Sequence, residues 1–200
     1  MKLRSLALAA LVLTSMNAHA ELTTYAPWDA RYPTIAGVEF NVQSAGGATI
    51  AMGAHPYIYG TTMPNDGVST YYATPGYTTP TRANWSFDYA WDLGTCAGCS
   101  VALFVDTDPS AGVTFQQLAL ENATAATFQE SWNMAMTFIP GAFDANMPSI
   151  TSFSLRLLDA AGALITSSDI TVSVPEPTSI ALLGLGLIGM GAVARRRQSK

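Results

Sequence analysis

The sequence predicts an all-β body, an antiparallel β-sandwich of jelly-roll-like or Ig-like kind, flanked by an N-terminal signal helix and a C-terminal hydrophobic helix. Three observations carry this. In Trp85-Ser86-Phe87-Asp88-Tyr89-Ala90-Trp91-Asp92 every second residue is aromatic, and a period of two sorts a strand into one apolar and one polar face. Turn-forming groups such as Asn65-Asp66-Gly67 and Asp108-Pro109-Ser110 recur between apolar runs. No long stretch repeats with the 3.6-residue period of an amphipathic helix.

The first twenty residues are read as a secretory signal peptide. Lys2 and Arg4 precede eight apolar residues at 6–13, a run too short to cross about 30 Å of hydrocarbon. Ala18-His19-Ala20 then offers the small residues that a signal peptidase accepts, which places cleavage between Ala20 and Glu21.

The body is assigned to residues 21–174. Strands are predicted at 35–42, 85–92 (half-buried), 100–106, 113–118, 131–139, 153–158 and 170–174. Residues 116–129 have room for one short helix. Residues 45–80, rich in Gly, Tyr, Thr and Pro, are read as long loops or irregular edge strands. Seven to nine strands then fit a two-layer sandwich. The body carries thirteen acids against Arg31, Arg82 and Arg156, a net of −10, and such a surface repels phosphate backbones. Nucleic-acid binding is excluded on that ground.

Residues 175–200 form a separate tail. Val174-Pro175-Glu176-Pro177 cannot continue a strand or a helix, because two prolines bracket the glutamate. The fifteen residues 180–194 carry no polar side chain and give way at once to Arg195-Arg196-Arg197. As a helix they reach about 22 Å, short of a full bilayer core, and the arginines belong on the cytoplasmic side. Gly184 to Gly189 matches the spacing of a dinucleotide-binding fingerprint. The chain ends eleven residues later with no acid about 20 residues on, so no cofactor is implied.

The Pro-Glu-Pro group, the apolar span and the terminal arginine cluster, in that order, resemble the PEP-CTERM sorting signal. The resemblance implies handling by an exosortase, a membrane-embedded cysteine peptidase that cuts near the motif. On that reading Pro175, Glu176 and Pro177 are a recognition element, and Arg195, Arg196 and Arg197 stop the tail in the inner membrane, which it occupies transiently. It also implies a Gram-negative cell that makes extracellular polysaccharide. Residues 105–112, 129–133 and 143–174 look like a layout shared among PEP-CTERM proteins, a β-rich domain of no established activity whose last strand runs into the sorting motif.

Several residues in the body could carry chemistry. Cys96 and Cys99, with two residues between them and strand patterns on either side, read as a disulfide stapling a turn, with free thiols and a redox or metal site as the alternatives. Asp106 and Asp108 would share one side of an extended chain, and with Asp88, Asp92 and Asp144 they are weak calcium candidates. The other readings are an ordinary turn opener at Asp108-Pro109 and solvated surface for exposed acids. His55, the only histidine after cleavage, is placed in a loop. Tyr57, Tyr59, Tyr71, Tyr72 and Tyr77 cluster where stacking on sugars is conceivable.

The expected protein is exported and non-enzymatic, with no catalytic or metal site, sorted to the cell surface or extracellular matrix and associated with exopolysaccharide or biofilm. The alternatives are a carbohydrate-binding module for extracellular polysaccharide and a secreted hydrolase.

Overall fold

Alternating aromatic residues demand a strand with a covered face, and the architecture is arranged around one such strand. The computed structural model describes residues 21–31, 35, 37–57, 62–108, 110–141 and 143–176. The signal segment, Ala20 included, and the apolar tail lie outside them. The elements in order are β1 (Thr23–Thr24), α1 (Ala26–Arg31), β2 (Glu39–Ala45), β3 (Ala48–Pro56), β4 (Thr70–Tyr72), β5 (Tyr77–Thr79), β6 (Arg82–Ala83), β7 (Trp85–Asp92), β8 (Ser100–Asp106), β9 (Phe115–Leu118), β10 (Thr127–Asn133), β11 (Ser149–Leu158) and β12 (Leu164–Val174). One five-stranded sheet runs β1-β2-β3-β7-β10 and a second runs β4-β12-β11-β8-β9, with β5 and β6 as a small hairpin. The pairing is antiparallel except that β4 lies parallel to β12. The body is an all-β sandwich.

Between the sheets, Trp85, Phe87, Tyr89 and Trp91 of β7 are each 0–1% exposed. They meet Leu103 and Val105 of β8, Phe153 and Leu155 of β11, and Ile170 and Val172 of β12 in one core. Phe87 stacks on Phe153 at 4.3 Å between centroids.

A second, smaller core covers the other face of the first sheet. Phe40, Ala51 and Ala90 lie beneath Tyr25, Trp28, Ile35 and Val38, and the Trp28 and Phe40 rings are 5.2 Å apart. The polar parity of β7 is therefore covered too, and Ser86 and Asp88 are buried. The half-buried strand predicted at 85–92 is buried on both faces, with Asp92 alone exposed.

Five further readings are corrected. The segment 48–56, read as part of long loops or irregular edge strands, is β3, a central strand paired with both β2 and β7. Its small residues give no alternation because both faces are covered. At Gly53 a Cβ would sit 3.0 Å from the Glu39 carbonyl oxygen, the Phe40 ring and Val38, so any side chain there must push its neighbours aside. The strand expected at 131–139 is β10, displaced toward the N-terminus, and Met136 and Ile139 donate backbone bonds to Asn133 and Met136 in successive turns. No helix forms at 116–129, where β9, a turn and the start of β10 stand instead. The strand expected at 35–42 begins at Glu39, Ile35 having joined the cap, while β12 starts six residues before the expected 170.

Asp66 organises the approach to β4. Its Oδ1 accepts the backbone N–H groups of Val68, Ser69 and Thr70, each at 2.9 Å. Slight burial opposes the charged form, but these bonds outweigh it and hold the carboxyl down at about 2.

Gly53→Ala is expected to destabilise the body by about 1–3 kcal/mol in urea unfolding, through overpacking against the cap. Unchanged stability would show that 38–40 does not press on β3.

Candidate functional site

A strand held on both sides leads into the tail. β12 pairs with β11 from Ser149↔Val174 to Leu158↔Leu164 on one side. On the other it pairs with β4 at Thr171↔Thr70, Val172↔Tyr71 and Ser173↔Tyr72. The pairing stops where proline removes the next donor. Val174 is buried, and Pro175 and Glu176 directly after it are exposed. Pro177 and Arg195 to Arg197 lie outside the described residues, as does the apolar run 180–194. Among the described residues no helix is long and apolar enough to cross a membrane.

A family model for the PEP-CTERM protein-sorting motif matches residues 173–197. The chain carries a PEP-CTERM sorting motif. It is thus an exported protein that passes through a membrane-anchored intermediate and is processed by an exosortase. The match begins on the last residues of β12, so strand and motif are continuous in the chain. No curated protein matches the sequence. Among solved structures, the soluble domain of PmoD from Methylocystis sp. strain Rockwell is 13% identical, with a TM-score of 0.34, over 67% of this chain and 96% of that one.

Upstream of the PEP-CTERM motif, the other residues singled out in the sequence are dispersed. Cys96 and Cys99 form a disulfide at the turn between β7 and β8, with Cα atoms 5.6 Å apart. Gly98, at φ +73°, supplies the left-handed conformation that the tight turn requires. Asp106 is buried, and its Oδ1 accepts the N–H of Asp108 at 3.0 Å and of Thr114 at 2.8 Å. Asp108 lies past the end of β8, accepting the N–H of Ser110 at 2.9 Å. The two carboxylates therefore serve successive turns and do not share one side of an extended strand. Asp92 and Asp144 accept N–H groups within their own turns. Among the described residues no three His, Cys, Asp or Glu side chains are grouped to hold a metal ion.

The tyrosines do not form a common platform. Tyr71 is buried and donates its hydroxyl to the Glu39 carbonyl at 2.5 Å. Burial, followed by the charges of Asp88, Glu39 and Asp66, pushes its phenol well up. Tyr72 and Tyr77 are exposed, and Tyr77 Oη accepts the N–H of Ala145 at 3.2 Å. Tyr57 is half-buried, and Tyr59 lies outside the described residues.

His55 is not in a loop. It is on β3, opposite Ser86, with Nδ1 2.7 Å from Oδ2 of Asp88. The two side chains are 7% and 0% exposed. Burial disfavours the imidazolium, but the Asp88 charge and hydrogen bond outweigh it and hold His55 above its ordinary value. For Asp88 burial acts in the opposite direction and raises it, against the His55 charge and hydrogen bonds from His55 and Ser131. Nothing local in the sequence links residues 33 apart. The one available signal was an aspartate in the middle of the aromatic octad.

Both shifts mean that the folded protein holds more protons than the unfolded chain, so stability falls as pH rises through them. The His55 contribution is complete below the ordinary 6.5 and is lost as pH passes the raised value. The melting temperature is expected to be lower at about pH 9 than at about pH 6, and the His55→Gln/Asp88→Asn double variant to lose most of that difference. Equal slopes in both proteins would show that the pair does not titrate in this window.

Proposed function

We propose that residues 21–174 are a non-catalytic β-sandwich module that signal peptidase frees at Ala20 and an exosortase frees near Pro175 to Pro177. Its destination on this reading is the cell surface or extracellular matrix, in association with exopolysaccharide. The observation that carries the proposal is the passage from β12 to the exposed Pro175 and Glu176 with no linker between them. A peptidase can take hold of the motif without unwinding the strand before it. The non-catalytic reading is supported by the His55–Asp88 pair, closed off beneath the N-terminal cap, and by carboxylates engaged in their own turns. The body's net charge of −10 keeps it off anionic surfaces once it is detached.

The test is fractionation of an exosortase-containing host, with an antibody to the body and a tag after Lys200. Replacing Pro175, Glu176 and Pro177 by alanine is expected to leave a full-length chain in the inner membrane. Replacing Arg195, Arg196 and Arg197 is expected to let the tail slip through, so that the tagged chain reaches the periplasm. A normally shortened alanine variant would remove the motif from its role.

A further inference from the structure

We propose that a small void at the end of β8 holds one calcium ion, anchored by the buried carboxylate of Asp106. The Asp106 side chain ends β8 and is 3% exposed. Its Oδ1 is fully engaged by the N–H groups of Asp108 and Thr114. Its Oδ2 is equally buried and has no hydrogen-bond partner among the described residues. A carboxylate oxygen in that position costs free energy until a donor or a cation meets it.

The second observation is the space beside it. Asp106 lines a void of about 10 Å³ together with Thr107, Pro140, Gly141 and Thr151. That is room for one species the size of a water molecule. The turns after β10 close it from above: at Gly141, with φ +104°, a Cβ would lie 3.4 Å from the Thr107 Cα. Thr151 closes it from β11. It shares the parity of Phe153 and Leu155, so a hydroxyl residue, itself only 3% exposed, stands where the core pattern calls for an apolar one.

The chemistry of the lining selects the ion. Its polar atoms are a carboxylate, two threonine hydroxyls and backbone carbonyls, with no histidine or cysteine, which suits a hard cation. No lysine or arginine lines the void, so a water would fit the space but leave the buried charge unmatched. Calcium accepts neutral oxygens beside a single carboxylate, and such a site does not need three acidic side chains grouped together. Magnesium keeps several of its waters, for which a void of this size has no room. One carboxylate makes the site weak, in the range of extracellular calcium modules. Asp108 is not among the lining residues and serves its own turn.

The test is equilibrium dialysis of radioactive calcium against the full-length chain in a non-ionic detergent at fixed ionic strength, with the melting temperature followed in parallel. One ion per chain is expected to bind with half-saturation at about 0.1–1 mM. The melting temperature should rise by a few degrees with calcium and not with magnesium. Asp106→Asn keeps an oxygen for the two N–H groups but removes the charge, and should lose both the bound ion and the calcium-dependent rise. Thr151→Val should weaken binding several-fold, and Asp108→Asn should leave it unchanged. No saturation below about 10 mM, an equal rise with magnesium, undiminished binding in Asp106→Asn, or an equal loss in Asp108→Asn would each overturn the proposal. If Asp106→Asn fails to fold, Thr151→Val decides, and unaltered affinity there overturns it.

Discussion

Phe87 and Phe153 stack across the gap between the sheets, and the other inward residues of β7 continue that contact along the strand. Each such aromatic pair contributes about 0.5–1.5 kcal/mol beyond the area it buries. The position of β7 next to the edge strand β10 gives this row a second effect. At its Trp85 end it meets Phe143 and Phe153 edge-on and is closed. At its Tyr89 and Trp91 end the covering partners are Phe128 and Trp132 of β10, which are only half-buried, and a cavity of about 430 Å³ opens beside them.

The outer face of the same sheet shows a different solution. Covering it with Tyr25, Trp28, Ile35 and Val38 buries polar side chains that alternation had placed there. Each such group must then find a partner or cost free energy. Asp88 finds His55, and Asn133 donates to the carbonyls of Ala83 and Trp85 while its Oδ1 receives the N–H of Ala83. The ion pair links β3 to β7 under the cap. It makes the body's stability pH-sensitive without opening a reactive group to solvent.

The sequence was most legible where one physical cause dominates. β7, β8 and β11 stand close to their predicted places, because aromatic and β-branched residues bounded by turns have few other uses. The motif after Val174 was legible because two prolines allow so little. β3 was hidden: Ala51, Gly53 and Ala54 are small because a sheet neighbour and a cap press on them, and that pressure comes from residues distant in sequence. The Pro56 beside His55 made the strand look like loop. β10 was displaced because Met134, Met136 and Ile139 are apolar in turns that fold back over the core edge. The cavity could not be read at all, since its walls come from residues 89 to 138 and meet only through sheet order.

The central claim is that β12 is held in the sheet to Val174 and that Pro175 and Glu176 follow it outside the sheet. Hydrogen–deuterium exchange of the full-length chain tests this most directly, because exchange reports the opening free energy of each segment separately. The account predicts protection of the β12 amides as strong as that of β7, with Glu176 exchanging at the rate of an unprotected chain. Strong protection at Glu176, or exchange through β12 much faster than through β7, would contradict it.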